Sequence, residues 1–99
     1  MLKPLNPILH SELRLAIMSI LIATESADFV YLRTETGATA GNLSVQLDKL
    51  QRAGYIEIEK GFNGKLPRTT CSMSDKGREA MREYIDTLQE YLGTAIKSR

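Results

Sequence analysis

The tightest constraint on what this chain can fold into is one dipeptide, Asn63-Gly64, set between two short runs of strand-forming residues. Asn-Gly tolerates positive φ at both central positions of a two-residue turn, so it predicts a type I′ hairpin. Before it, Tyr55-Ile-Glu-Ile-Glu-Lys alternates apolar and polar with the period of a half-buried strand, and after it Thr69-Thr-Cys-Ser-Met supplies the returning strand. Pro67 cannot donate to a ladder and is expected in the loop or at a strand edge, with pairing resuming near Thr69. A lone two-stranded hairpin is marginal in water, so the rest of the 99 residues must cover it.

That remainder reads as helix. Asn6-Pro7 offers an N-cap followed by proline at a first helical position, and Ser11-Glu12 offers a second start a turn later. Leu13, Ala16, Ile17, Ile20 and Leu21 then recur at helical spacing and predict a first helix to about Thr24. Ser26 and Asp28 are capping residues for a short second helix that buries Phe29 and Leu32, with Val30 a third candidate, and stops at Gly37. Thr39 caps a third helix, with Leu43, Leu47 and Leu50 inward and its end at Arg52 and Gly54. Ser74 caps a long last helix whose Met81, Tyr84, Ile85, Leu88, Tyr91, Leu92, Ala95 and Ile96 share one wide face. The expected fold is mainly α with one small β-hairpin (α+β), in the order helix, helix, helix, strand, strand, helix. It forms a single domain over residues 1–99.

Two apolar faces need a cover, which another helix of the same chain or a partner subunit could supply. Leu15, Met18 and Ile22 form a second row on the first helix, roughly opposite the first at about 100° per residue. The last helix approximates a heptad seam over two heptads, too few for a coiled coil alone. Contiguous exposed apolar surface marks interfaces, and a chain of this length buries only about 60–65% of its unfolded surface. A homodimer is therefore expected, held through Leu15, Met18, Ile22, Met81, Tyr84, Ile85, Leu88, Tyr91, Leu92 and Ile96.

Composition narrows the class. With 42% hydrophobic and 25% charged residues the chain is an ordinary globular domain, not a disordered or fibrous one. No apolar run reaches the roughly 18 residues needed to span a bilayer, and the start of the chain lacks the layout of a signal peptide, so a cytoplasmic protein is expected. His10 is the only histidine and Cys71 the only cysteine, which removes a Cys/His metal cluster and any disulfide framework within one chain. There is no phosphate-binding glycine loop and no dinucleotide fingerprint. Neither an enzyme nor a cofactor is expected, and Cys71 reads as a small buried thiol. The net charge is only +1, yet Lys60 to Arg68 holds Lys60, Lys65 and Arg68 and no acid.

Four segments carry a family resemblance: Ile8-Leu-His-Ser-Glu-Leu-Arg-Leu-Ala-Ile-Met, Gly41-Asn-Leu-Ser-Val-Gln-Leu-Asp-Lys-Leu-Gln-Arg-Ala-Gly-Tyr-Ile, Lys60-Gly-Phe-Asn-Gly-Lys-Leu-Pro-Arg-Thr-Thr and Ser74-Asp-Lys-Gly-Arg. Together, over roughly residues 7 to 92, the chain resembles the MarR/ArsR-like winged helix-turn-helix transcription regulators, in particular the short single-domain members of bacteria and archaea. The second segment is the most specific, because it joins a recognition helix to its first wing strand without a gap. The resemblance implies a dimer that places one recognition helix per subunit in successive major grooves and lays each wing along the backbone or minor groove. ArsR-like members often sense metals through Cys/His clusters, a feature this sequence lacks.

The residues support that reading independently. With its leucines inward, the third helix presents Gly41, Asn42, Val45, Asp48, Lys49 and Arg52, with Ser44 and Gln46 on the shoulders. Asn and Gln can bond adenine bidentately, Ser suits several base edges, and Val45 suits a thymine methyl. Lys49 and Arg52 suit phosphates, Asp48 pairing with Arg52 at i+4. Gly41 costs about 1 kcal/mol relative to alanine inside a helix, and its bare backbone permits close approach. The helix start at Thr39 adds free N–H groups that favour anions. In the hairpin Lys60, Asn63, Lys65 and Arg68 are expected at the backbone, and Phe62 either joins the core or anchors the wing.

The expected function is sequence-specific binding of double-stranded DNA as a transcription regulator, a repressor. The alternative is a winged-helix protein-interaction module without DNA binding, which the modest net charge favours. A small-molecule effector has room only between the first and last helices or at the dimer interface, and nothing in those helices names one.

Overall fold

The computed structural model describes residues 1–97, and the side chains of residues 1–94. Its elements are α1 (Glu12–Thr24), β1 (Ser26–Asp28), α2 (Phe29–Thr36), α3 (Ala40–Arg52), β2 (Ile56–Asn63), β3 (Leu66–Met73) and α4 (Asp75–Lys97). Fold class and helix order are as the sequence predicts. β1, too short to show any periodicity, is the one element missing from the expectation.

The start of α1 is the second of the two possibilities. Asn6 begins a short turn instead, its Oδ1 accepting from the Ile8 N–H at 2.9 Å and its carbonyl from the His10 N–H at 2.8 Å. Glu25, at φ 67°, ends α1 in a positive-φ conformation that is uncommon for a residue with a side chain. It turns the chain directly into β1.

The sheet order is β1-β3-β2, antiparallel throughout, so β3 is central. Registers Ile56↔Met73, Ile58↔Cys71 and Ala27↔Cys71 put Ile56, Ile58, Ala27 and Cys71 on the face turned to the helices. Beyond Thr70 the sheet has only two strands, and β2 and β3 continue as a free arm to Asn63↔Leu66. Pro67 lies within this arm, paired with Phe62, where β3 has lost its β1 neighbour and a missing donor is tolerated. Pairing thus resumes three residues earlier than Thr69. Because Asn63 and Leu66 pair, the turn residues are Gly64 and Lys65, one later than expected. Only Gly64 has positive φ (68°), the pattern of a type II′ turn rather than type I′.

The core is made by Leu9, Ile17, Met18, Leu21, Leu32, Leu43, Leu47, Leu50, Ile56, Cys71, Met81 and Tyr84, with Ala27 beneath the sheet. Three of these correct the expected dimer surface. Met18 is fully buried, because α2, α3 and β3 enclose α1 on more sides than a single stripe predicts, and Met81 and Tyr84 are buried where α4 crosses the same core. They are not free to face a partner. Leu15 and Leu88 are half-buried, Ile22, Ile85 and Leu92 are exposed, and Tyr91 is half-buried with its hydroxyl donating to the Lys3 carbonyl at 2.6 Å. The Ile96 side chain lies outside the described residues. Val30 is 72% exposed and does not join the core, since α2 is only eight residues long and turns Leu32 inward.

The junction between α3, the sheet and α4 is the most closely fitted part of the fold. Ser74 Oγ accepts from the Gly77 N–H at 3.0 Å and donates to the Gly54 carbonyl, and the Ser74 N–H donates to the Tyr55 carbonyl at 3.1 Å. Gly54, at φ 81°, makes the turn that brings this carbonyl round. Gly77 is buried against Tyr55, and a Cβ built there would lie 2.0 Å from the Tyr55 carbonyl oxygen.

Candidate nucleic-acid interface

A tight link orients α3. Asp28 Oδ1 accepts from the Tyr31 N–H to start α2, and Gly37, at φ 71°, ends it with its N–H on the Arg33 carbonyl. Thr39 then caps α3, its hydroxyl accepting from the Asn42 N–H at 3.2 Å. Leu43 and Leu50 are fully buried and Leu47 nearly so, which pins the rotation of the helix. Gly41, Asn42, Ser44, Val45, Asp48, Lys49 and Arg52 are consequently exposed, as the spacing predicts. Nothing lies within 4 Å of a Cβ built on Gly41, so packing does not explain the glycine.

The electrostatics of this face are mixed. Asp48 Oδ2 meets Arg52 Nε at 2.9 Å, which partly neutralises the last cation of the helix. Among the described residues Lys49, Lys60 and Lys65 enter no ion pair. Alternation in the sheet divides the basic hairpin between two faces. Lys60 shares the α3 side with Thr69, and together with Ser44, Asp48 and Gln51 they line one groove between helix and hairpin. Arg68 is on the reverse side with Glu57 and Glu59, where its Nε lies 3.4 Å from Asp28 Oδ2. Lys65 is at the turn itself, and Asn63 beside it pairs with Leu66. Phe62 is 76% exposed on the α3 side of the arm, and Leu66 71% exposed on the other.

Gln46 is the member of the set whose surroundings differ from expectation. It is half-buried, its Oε1 accepts from Arg14 Nη1 of α1, and its Nε2 donates to Asn42 Oδ1 at 2.9 Å. Arg14 is 32 residues away in sequence and has no local signal that could have announced it.

Cys71 is fully buried, and burial first, with the negative charge of Asp28 second, pushes its thiol up to about 11. A thiol that stays protonated is a poor nucleophile. His10 Nδ1 lies 3.0 Å from the Tyr84 hydroxyl, a bridge from the segment before α1 to α4. Among the described residues no three of His, Cys, Asp and Glu cluster so as to hold a metal ion, and no helix is long and apolar enough to cross a membrane.

Comparison with known proteins gives a consistent result. A family described as a winged helix DNA-binding domain matches residues 13–92. An uncharacterised protein of Methanocaldococcus jannaschii is 33% identical over 78 residues, which covers 79% of this chain and 85% of that one. Among solved structures, a transcriptional regulator homologue from Pyrococcus horikoshii superposes with a TM-score of 0.83 at 27% identity, covering 89% of this chain and 87% of that one. Bacillus subtilis PadR, solved in complex with operator DNA, superposes with a TM-score of 0.67 at 18% identity, over 76% of this chain and 47% of its own.

Proposed function

The chain belongs to the winged helix DNA-binding domain family, and within that family we propose that it is a homodimeric transcription regulator that represses by binding duplex DNA. The observation that carries the reading is the shared groove, in which Ser44 and Asp48 of α3 and Lys60 and Thr69 of the hairpin line one depression. Helix and hairpin therefore address the same ligand. In this reading α3 enters the major groove, with Asn42, Ser44, Val45 and Gln46 at base edges and its N-terminal turn, Thr39 and Gly41, closest to the DNA. Lys49, Arg52, Lys60, Asn63, Lys65 and Arg68 lie along phosphates or in the minor groove, Arg68 exchanging Asp28 for a phosphate as it does so.

The dimer has support in the shape of one chain. Its exposed area is 6885 Å², against about 5,700 Å² for a compact monomer of this mass. Its radius of gyration is 15.3 Å, against about 12.6 Å. The surplus of roughly 1,200 Å² is of the order that one partner buries in a stable interface, about 800 Å². Ile22 of α1 and Ile85, Leu88 and Leu92 of α4 supply the apolar part.

Titrating labelled duplex with the protein at rising salt tests the function. Affinity should fall linearly on logarithmic axes, and in vitro selection from random duplexes should return a near-palindrome. Absence of salt-dependent binding to any duplex would sink the proposal. The exposed Phe62 and Leu66 favour a second reading, a protein-interaction module. That reading gains if no duplex binds while Phe62→Ala abolishes capture of a protein partner.

A further inference from the structure

Resting on the DNA-binding reading above, we propose that Arg14 of α1, outside the helix-turn-helix, is a positioning residue for base reading. Through Gln46 it fixes the carboxamide of Asn42 so that this side chain meets DNA with its amide nitrogen.

The chemistry of the three groups allows only one orientation. A guanidinium has five N–H donors and no acceptor. Arg14 spends its Nε on the Ile8 carbonyl and Nη2 on the Pro7 carbonyl, which turns a flexible side chain into a fixed fork, and points Nη1 at Gln46. Gln46 must therefore present its oxygen to Arg14. Its nitrogen then faces the other way and donates to Asn42 at 2.9 Å, so Asn42 must present Oδ1 to it. The Asn42 backbone N–H is already taken by Thr39. What remains on this exposed side chain in the first turn of α3 is Nδ2, whose two N–H groups have no partner among the described residues, and one lone pair of Oδ1, so donors outnumber the free acceptor.

An unrestrained asparagine reads adenine by accepting from N6 and donating to N7. In Asn42 the oxygen is turned along the helix toward Gln46, so the donor leads. The edges that answer a leading donor are guanine, with O6 and N7, adenine, with N7, and thymine, with O4. Cytosine N4 meets the same donor head-on and is disfavoured.

The test is in vitro selection with the full-length protein from random duplexes, the position read by Asn42 being the one whose preference disappears in Asn42→Ala. The wild type should select against cytosine there by about tenfold. Gln46→Glu keeps the Arg14 contact but offers Asn42 only an acceptor, so Asn42 must turn its nitrogen inward. Cytosine should be gained at that position and guanine and thymine lost, and in the Asn42→Ala background Gln46→Glu should change nothing there. Arg14→Met should flatten the preference and Arg14→Lys should restore part of it. If losing the Pro7 and Ile8 contacts unfolds the Arg14 variants, Gln46→Glu decides alone. Wild-type preference retained in folded Gln46→Glu overturns the proposal while leaving DNA binding intact, whereas a wild type that enriches no sequence overturns both.

Discussion

Replacing Gly77 by alanine sets two opposing effects against each other. In a freely exposed helix the change would stabilise by about 1 kcal/mol, because glycine is the poorer helix former. At position 77 the new Cβ would lie 2.0 Å from the Tyr55 carbonyl oxygen, and real Cβ atoms essentially never come within 3.0 Å of a neighbour. α4 must therefore move by at least about 1 Å relative to the start of β2. That movement strains the Ser74–Gly77 cap at 3.0 Å and the Ser74–Tyr55 bond at 3.1 Å. Overpacking of this kind costs about 1–3 kcal/mol and a lost serine cap about 1, so after the propensity gain the net loss is about 2 kcal/mol. For a domain of this size that lowers Tm by about 8–16 °C. Thermal melts by circular dichroism, at one protein concentration because the Tm of the proposed dimer would depend on it, read the effect. A Gly77→Ala protein melting at or above the wild type would refute the close fit of α4 against Tyr55.

Gly41→Ala, with nothing near its new Cβ, should raise Tm by up to about 8 °C while weakening duplex binding, which calorimetry and fluorescence anisotropy would separate. Lys65→Ala should reduce the salt slope of binding by about 0.9 with little sequence dependence, and an unchanged slope would remove Lys65 from the backbone contacts. Leu92→Asp should convert the dimer to monomer in sedimentation without lowering helical content, since Leu92 is 55% exposed in one chain. Cys71 should resist alkylation at pH 8, where a thiol near 11 is ionised in about one molecule in a thousand. The folded chain holds that proton longer than the unfolded one, so the stability this burial provides is complete below pH 9 and falls as pH rises toward 11. Rapid labelling of the native protein at pH 8 would contradict the burial.

Local rules account for most of what the sequence predicts correctly. The caps at Asp28, Thr39 and Ser74, the stop at Gly37 and the Leu43/Leu47/Leu50 row each depend on steps of at most four residues, and all lie where expected. Features set by distant partners were hidden. Met18 looks like spare surface on a helical wheel and is buried because three elements close around α1. β1 has three residues and exists only because β3 offers an open edge. Arg68 reads as a free cation until strand register puts it on the sheet face that carries Asp28. The Arg14–Gln46 bond joins two helices whose sequences give no sign of it. The turn slipped by one residue because pairing at the tip, not the dipeptide alone, chooses its centre.

Asp28 starts α2 with one carboxylate oxygen and holds Arg68 with the other. This makes the segment 60–68 something other than a free cassette for exchange between relatives. A graft that alters residue 68 leaves a half-buried acid facing the wrong neighbour, and the donor's residue 28 has to travel with it. Chimeras carrying both positions from one parent should melt as that parent does, and chimeras with mixed parentage should melt lower.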